Sequence, residues 1–383
     1  MEIYLDHSAT TRCCEEAAEC VRRALTDDYG NPSSLHRKGI EAERIVRDAM
    51  AVLTGTLKVS EKEIIFTSGG TESDNLAIFG TAKACARQGK HIITSAVEHP
   101  AVSEPMQYLQ KNGYELTVLG VDSSGCIRPE ELEKALRPDT ILVSVMHVNN
   151  EIGSVMPIQE IADLVHTKSQ ALLHVDAVQS FGKYVIHPKR MGIDLMSVSG
   201  HKLNGPKGVG FCFVREGVRL IPQILGGGQQ DGLRSGTDNV PGIAGLAAAV
   251  RYSYTGLGEK REHLYALKEH FCRGLSELPD VTVNGPSVSD GAPHIVNASF
   301  KDVRSEVLLH ALEDKGIYAS AGSACSSHKR KGSQTLKAIG LEPDLAQSAL
   351  RFSFGPENTF EEADITLRAL AELLPALRKF VRR

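Results

Sequence analysis

From about residue 15 to residue 255, short apolar runs alternate with longer amphipathic ones, and this alternation restricts the fold more than any other feature. EIIFTSGG precedes a helix-like TESDNLAIFGTAKACARQ, and TILVSVMHV precedes PIQEIADLVHTK. Strands that are apolar almost throughout, separated by helices, are typical of a mostly parallel sheet that helices cover on both faces. The sequence therefore predicts an α/β domain.

The pattern changes after GLGEKREH at 256–263. A long helix is followed by the strands VTVNG and PHIVNASF, another helix, a strand through IYASA and a final helix that begins at a Thr359/Glu362 capping box. These elements predict a smaller α+β domain. We expect a large domain over residues 13–257 and a small domain formed by residues 1–12 and 258–383.

The overall charge and the apolar runs exclude several classes of protein. With 43 basic and 47 acidic residues the formal charge is −4, which gives no basic field for nucleic acid. The longest apolar run, VPGIAGLAAAV at 240–250, is too short to span a bilayer, and the N-terminus lacks the pattern of a signal peptide, so a cytoplasmic location is expected. Eight cysteines without CxxC spacing argue against a disulfide framework or a metal site.

A lysine with unusual surroundings lies in SVSGHKLNGPKGVGF at 197–211. Lys202 directly follows an apolar strand, and ligands bind at the carboxyl ends of strands in α/β sheets. Desolvation there would lower its pKa and free the amine for a Schiff base, although a lysine in a surface turn is the alternative. The spacing of Gly200 and Gly205 begins like a phosphate-binding P-loop, but Pro206 and Lys207 follow, so a nucleotide-dependent enzyme is disfavoured.

Two further stretches suit parts of a phosphorylated pyridine cofactor. Asp176 lies inside the apolar strand of ALLHVDAVQS, where it needs a cationic partner such as a protonated pyridine nitrogen, unless it caps the next turn. TSGGTESDN at 67–75 joins a strand to a helix, so backbone N–H groups and the Thr71 hydroxyl form a natural phosphate site. A simple helix cap by Thr71 and Asp74 is the alternative.

Three other side chains could join Lys202. His99 and Asn150 both follow predicted strands and so belong to the same edge of the sheet, although an isolated histidine is more often structural. Arg351 is a cation within an apolar strand, which a carboxylate ligand or a surface-facing position would explain equally well.

The stretch SAGSACSSHKR at 320–330 places Cys325 among residues too small to bury it. The cations Lys329, Arg330 and Lys331 follow, and they would favour a thiolate. A mobile nucleophile and an incidental cysteine in a surface loop are equally open from this stretch alone.

The order of these motifs resembles the cysteine desulfurases of the NifS/IscS type, which belong to the class V aminotransferases among the fold-type I pyridoxal phosphate enzymes. The resemblance runs nearly end to end, through YLDHSATT, GNPSSLH, TSGGTESDN, VEHPAV, MHVNNEIG, HVDAVQS, SGHKLNGPKG, GGGQQDGLRSGT, SAGSAC and LRFSFG. Departures are Arg12, where the family commonly has proline, and the adjacent Cys13 and Cys14, which we interpret as structural rather than as metal-binding or redox-sensing.

The resemblance implies a role for each site residue. Lys202 would hold pyridoxal 5'-phosphate covalently and move the substrate proton, and Asp176 would pair with the pyridine nitrogen. Gln179 would bond the ring hydroxyl, and His99 would stack on the ring. The phosphate group would be bound by Gly70, Thr71, Ser199 and His201, with Thr237 from a second subunit, so a homodimer is implied. Asn31, Asn150 and Arg351 would lie at the substrate, with Asn150 also near the cofactor and Arg351 binding the substrate carboxylate.

The implied reaction converts L-cysteine to L-alanine and leaves the sulfur on Cys325 as a persulfide, with His99 or the nearby cations favouring the thiolate. The sulfur would pass to an acceptor protein for iron–sulfur cluster assembly or tRNA thiolation. Cys325 would be the residue that contacts an iron–sulfur cluster on that acceptor. The short SAGSACSS form resembles the group that works with a scaffold protein, and the basic 326–333 stretch suggests an acidic docking surface. Alternatives are a selenocysteine lyase, another class V aminotransferase, or an inactive subunit that docks sulfur acceptors.

Overall fold

The computed structural model describes residues 2–322 and 332–379. The strands in these ranges are β1 (Ile3–Tyr4), β2 (Ile64–Thr67), β3 (His91–Ser95), β4 (Glu115–Leu119), β5 (Thr140–Met146), β6 (Leu172–Asp176), β7 (Leu195–Ser199), β8 (Gly210–Val214), β9 (Val281–Asn284), β10 (Ile295–Phe300), β11 (Ile317–Tyr318) and β12 (Ala349–Ser353). The α-helices are α1 (Glu15–Thr26), α2 (Arg37–Leu57), α3 (Gly70–Ala84), α4 (Pro100–Lys111), α5 (Pro129–Ala135), α6 (Ile158–Lys168), α7 (Val240–Tyr254), α8 (Leu257–Ser276), α9 (Ser305–Glu313), α10 (Gln334–Ala338), α11 (Pro343–Gln347) and α12 (Phe360–Arg378).

A seven-stranded sheet in the order β2-β8-β7-β6-β5-β3-β4 forms the centre of the fold. The neighbours from β7 to β4 are all parallel, whereas β8 runs antiparallel to both β7 and β2. Every residue of β5, β7 and β8 is buried, which explains their nearly continuous apolar sequences. The predicted α/β fold with a mostly parallel sheet is confirmed.

The C-terminal part builds a smaller antiparallel sheet in the order β12-β10-β9. Phe271 of α8 packs edge-on against Phe352 of β12, and Phe300 of β10 also contacts Phe352. Leu5 belongs to the same apolar core, and β1 pairs with β11, so the first residues of the chain pack with the last third. The main sheet has a separate core, formed by residues between Ala17 and Val250.

The predicted capping box at the start of α12 is present. Thr359 Oγ1 accepts from the backbone N–H of Glu362 at 3.2 Å, and the Glu362 carboxylate accepts from the N–H of Thr359 at 2.9 Å. Two N–H groups that a helix terminus leaves without intrahelical partners are thereby satisfied.

The parallel strands place the ends of β3, β5, β6 and β7 on one edge of the main sheet, beside the first turn of α3. Chain segments that leave this edge carry most of the motifs identified from sequence. Across residues 2–322 and 332–379, none of the helices combines the length and the apolar character that crossing a membrane requires.

Candidate active site

One cleft at this edge of the sheet brings together ten of the thirteen site residues expected from sequence. Ser8, Ala9, Asp74, Ala101, Met146 and Val178 also line it. The ten expected residues are Gly70, Thr71, His99, Asn150, Asp176, Gln179, Ser199, His201, Lys202 and Arg351.

Lys202 ends a short 3₁₀ helix that follows β7 directly. Its ammonium Nζ donates to the backbone carbonyls of Ser8 and Ala9, the latter at 2.8 Å. Two carbonyl oxygens on a separate segment therefore fix the direction of the amine. The N-terminal segment is in turn tied to this helix, because Thr11 donates to the carbonyl of His201 at 2.9 Å.

Asp176 is the last residue of β6, and only 5% of it is exposed. One carboxylate oxygen accepts from the backbone N–H of Val178 at 2.9 Å. Burial raises the pKa of this carboxyl to about 6, while the Val178 hydrogen bond and the charge of Lys202 oppose the rise. A buried carboxylate of this kind favours a cationic partner.

The start of α3 forms a cradle for an anion. Gly69, at φ +146°, has a backbone conformation that side chains with a Cβ rarely adopt, and a Cβ on Gly70 would come within 2.8 Å of Val178 Cγ2. The glycines thus allow close packing against Val178 and Ser199, and the N–H groups of the first turn of α3, which have no intrahelical partners, stabilise negative charge at the cleft. Ser199 and His201 line the same cleft.

Both histidines that line the cleft are neutral near pH 7. Burial, and then the charge of Lys202, lowers the pKa of His99 to about 4, and the same two causes lower that of His201 to about 4. His99 caps α4, since its Nδ1 accepts from the N–H of Ala101 at 3.1 Å. The proton of the neutral His99 ring is therefore assigned to Nε2.

Arg351 is 1% exposed, so the alternative of a surface-facing arginine is wrong. Its Nη1 donates to the carbonyl of Asn150 at 2.8 Å, and its Nη2 donates to the Asp6 carboxylate at 2.7 Å. The Nε atom is buried and has no hydrogen-bond partner among the described residues. The guanidinium is thus held in place while part of its donor capacity stays open.

Two of the other expected site residues do not line the cleft. Asn31 is exposed, and its side chain accepts from the N–H of Ser33 at 2.9 Å within its own turn. Thr237 is exposed in the segment before α7. Cys325 lies outside the described residues, as do Lys329 and Arg330.

A buried polar network beneath Asp176 was missed by sequence reasoning. His174 is bonded to Ser144 at 2.7 Å and to Ser197 at 2.9 Å, and its Nε2 lies 3.5 Å from the carboxylate of Asp74. Burial lowers the pKa of His174 to about 3, and burial and then the charge of Asp176 raise the pKa of Asp74 well above its usual range. His174 is therefore neutral at pH 7, and protonation of Asp74 is favoured relative to an exposed aspartate.

Signals for this network were present in the sequence. His174 and Asp176 are two residues apart on a strand, so they share a face, and Asp74 follows Gly70 by one helical turn. Asp6, which holds Arg351, left no comparable local signal.

Comparison with known proteins agrees with this geometry. The family model "Aminotransferase class-V" matches residues 3–365. A cysteine desulfurase IscS from Dictyoglomus turgidum is 42% identical over 378 residues, covering 98% of this chain and 95% of that protein. A putative cysteine desulfurase IscS 1 from Bacillus subtilis is 43% identical over 377 residues, covering 98% and 99%.

Solved structures give the same result. A NifS-like protein superposes with a TM-score of 0.93 at 38% identity, covering 98% of this chain and 100% of that one. SspA in complex with cysteine superposes with a TM-score of 0.82 at 33% identity, covering 94% and 100%. The resemblance inferred from sequence is confirmed, and the chain belongs to the class V aminotransferase family, among the cysteine desulfurases of the NifS and IscS type.

Proposed function

We propose that this protein is a pyridoxal phosphate-dependent cysteine desulfurase, which converts L-cysteine to L-alanine and transfers the sulfur to its own Cys325. The observation that carries the proposal is one cleft in which an amine, a buried carboxylate, an anion cradle and a buried arginine converge. Full-length relatives with this activity, at 42–43% identity, support it.

The residues of the cleft fit the cofactor. Gly70 and Thr71 place the start of α3 at the cleft, where its N–H groups could bind a phosphate group, and Asp176 supplies the buried negative charge that suits a pyridinium nitrogen. Gln179 donates to the carbonyl of Ser8 at 2.9 Å, and its side-chain Oε1 is buried without a hydrogen-bond partner among the described residues. That oxygen could accept a ring hydroxyl. When bound, the cofactor withdraws electrons from the α-carbon of an amino acid.

The side chains of this chain then have distinct tasks. Arg351 binds the substrate carboxylate, with Asp6 fixing one end of the guanidinium so that the substrate is held in a single orientation. The Lys202 amine takes the proton from the α-carbon and returns it later, and the carbonyls of Ser8 and Ala9 direct that amine. His99, neutral and anchored as the cap of α4, would pack against the pyridine ring of the cofactor.

Sulfur transfer is assigned to Cys325. Its thiolate attacks the substrate sulfur, a new S–S bond forms, and the C–S bond breaks. The bonding electrons pass to the substrate carbon, which takes up a proton and becomes the methyl group of alanine. A persulfide remains on Cys325. The proposed acceptor is a protein such as an iron–sulfur scaffold or a tRNA-thiolation enzyme, and the proposed location is the cytoplasm.

We propose a homodimer in which Asn31 and Thr237 serve the partner's cleft. Both residues are exposed in this chain, and the segments that carry them also expose large apolar side chains, with Leu35 at 97% and Leu225 at 80%. Exposed apolar groups of this size favour burial against another surface. The division into domains at 13–257, and at 1–12 with 258–383, is likewise proposed, and the two separate cores support it.

The test is release of alanine and sulfide from L-cysteine by the cofactor-loaded protein with a reductant. Cys325→Ala and Lys202→Ala are measured beside it, with cofactor content checked by absorbance. Equal amounts of both products from the wild type, and almost none from a Cys325→Ala protein that keeps its cofactor, are expected. Equal activity of the wild type and Cys325→Ala would instead indicate a lyase, and an inactive wild type would indicate a docking subunit.

A further inference from the structure

The loop that follows β5 contacts two functional parts of the chain through neighbouring residues. Arg351 Nη1 donates to the backbone carbonyl of Asn150 at 2.8 Å. The next residue, Glu151, is 6% exposed, and its carboxylate accepts a hydrogen bond from the Ser333 hydroxyl. One loop therefore holds both the arginine assigned to the substrate carboxylate and the residue that begins α10.

Asn149 fixes the conformation of this loop. Its side-chain Oδ1 accepts from the N–H groups of Glu151 and Ile152, at 2.8 and 3.0 Å, and its Nδ2 donates to the carbonyl of Val97 at 3.0 Å. Asn149 is 1% exposed, so these hydrogen bonds are shielded from water. The backbone that carries the Glu151 side chain is thus held from inside the protein.

The Ser333 hydroxyl makes two hydrogen bonds. It donates to Glu151, and as the N-cap of α10 it accepts from the backbone N–H of Leu336 at 3.0 Å. Leu336 packs with Ile152 and Ala349 in one small apolar core. The start of α10 is therefore attached to the loop after β5 by a hydrogen bond and by apolar contact.

Ser320, which precedes Cys325 in the sequence as Ser333 follows it, is attached to Arg351. The N–H of Ser320 donates to the carbonyl of Arg351 at 3.0 Å, and the N–H of Arg351 donates to the carbonyl of Ser320 at 2.8 Å. Cys325 itself lies outside the described residues. The described serines on either side of it are thus bound to Arg351 and to the loop that holds Arg351.

Building on the desulfurase function proposed above, we propose that Glu151 is a positioning residue for sulfur transfer. Through Ser333 it holds one end of the segment that carries Cys325 in a fixed relation to Arg351, and hence to the bound substrate. A carboxylate is a strong acceptor for this purpose, since hydrogen bonds to charged groups are about twice as strong as neutral ones. Position matters for this step, because a displacement of about 1 Å between reacting groups can cost about a hundredfold in rate.

The first test separates substrate binding from sulfur transfer within a single turnover. Cofactor-loaded wild type and Glu151→Ala are mixed with L-cysteine. The absorbance change of the bound cofactor reports substrate binding, and mass spectrometry of quenched samples reports the persulfide on Cys325. The proposal expects an absorbance phase within about threefold of the wild type and persulfide formation slower by about 10- to 100-fold. Glu160→Ala, which removes an exposed glutamate of α6, should match the wild type in both.

Two results of this experiment would overturn the assignment of Glu151. Persulfide formation at the wild-type rate would show that Glu151 does not position Cys325, and equal slowing of both signals would show a general structural role. Absence of persulfide from the wild type would instead refute the proposed desulfurase function, and the inference with it.

The second test asks whether Glu151 acts through Ser333. Ser333→Ala should slow persulfide formation by a similar factor, and the double variant should be no slower than the slower single variant, because both changes remove the same hydrogen bond. Glu151→Gln, whose amide oxygen can still accept from Ser333, should stay within about threefold of the wild type. A double variant slowed by the product of the two single effects, or a Glu151→Gln protein as slow as Glu151→Ala, would contradict the proposal.

Discussion

Replacing Asp176 with asparagine tests the central electrostatic contact of the site. The change preserves the shape of the side chain and the oxygen that accepts from the Val178 N–H at 2.9 Å, but it removes the negative charge. Two opposite charges about 4 Å apart interact by about 4 kcal/mol at an effective dielectric constant of 20. At 1.36 kcal/mol per factor of ten in rate, loss of this interaction should lower kcat by up to about a thousandfold.

The assay is alanine formation by Asp176→Asn after saturation with pyridoxal phosphate, with bound cofactor quantified by absorbance. Asp163→Asn, an exposed aspartate on α6, serves as the matched control and should be indistinguishable from the wild type. If Asp176→Asn binds the cofactor fully and keeps its kcat within about threefold, then Asp176 does not support charge on the ring and the assigned orientation of the cofactor is wrong.

Four further predictions concern single groups in or near the cleft. Burial raises the pKa of Glu98 to about 8, against 4.5 in the unfolded chain, so between these values the folded protein holds a proton that the unfolded chain releases. The free energy of unfolding of the cofactor-free protein should therefore fall by up to about 1.4 kcal/mol per pH unit between pH 5 and 8. Glu98→Gln should flatten that slope in denaturant titrations. Because burial raises the pKa of Asp74 well above its usual range, Asp74→Asn should leave kcat within about threefold, and a pH–rate profile shifted by a full unit would contradict this. Arg351→Lys should raise the KM for L-cysteine by about 10- to 100-fold in steady-state kinetics, because lysine cannot bind the substrate carboxylate through two parallel hydrogen bonds. An unchanged KM would show that Arg351 does not bind the substrate. Gly70→Val should weaken cofactor binding by about tenfold or more in a titration followed by absorbance. Gly55→Ala, where a Cβ meets nothing within 4 Å, should not weaken it. If both variants bind the cofactor with the same affinity, the start of α3 is not the phosphate site.

The edge of the sheet was predictable because it depends on local pattern and one general rule. Lys202, Asp176, His99 and Asn150 each stand at or directly after the end of an apolar run, and parallel strands end at a common edge. Because parallel strands end at a common edge, these four residues, which are far apart in the sequence, are predicted to lie close together in the fold. The strands could be recognised as continuous apolar runs because helices cover both faces of the sheet. No face of these strands is exposed to solvent, so polar residues do not alternate with the apolar ones.

Contacts between distant segments were not predictable in this way. The hydrogen bonds from Lys202 to Ala9 and from Arg351 to Asp6 join residues 193 and 345 positions apart. Pairings of this kind produce no periodicity, and nothing in the local sequence tells which loop will supply a counter-charge. For the same reason the burial of Arg351 stayed open until its strand was placed in the small sheet.

The buried network explains how one carboxylate can keep its charge where three carboxyl groups crowd together. Asp74, Glu98 and Asp176 interact electrostatically, and each ionised neighbour would raise the pKa of Asp176 further and weaken it as a counter-ion. Burial raises the pKa of Glu98 to about 8 and that of Asp74 well above its usual range, whereas Asp176 has the Val178 N–H and the nearby Lys202 charge to favour ionisation. The sheet edge therefore favours ionisation of Asp176 over ionisation of Asp74 and Glu98, so the raised pKa values of these two neighbours reduce their competition for the cation at the site.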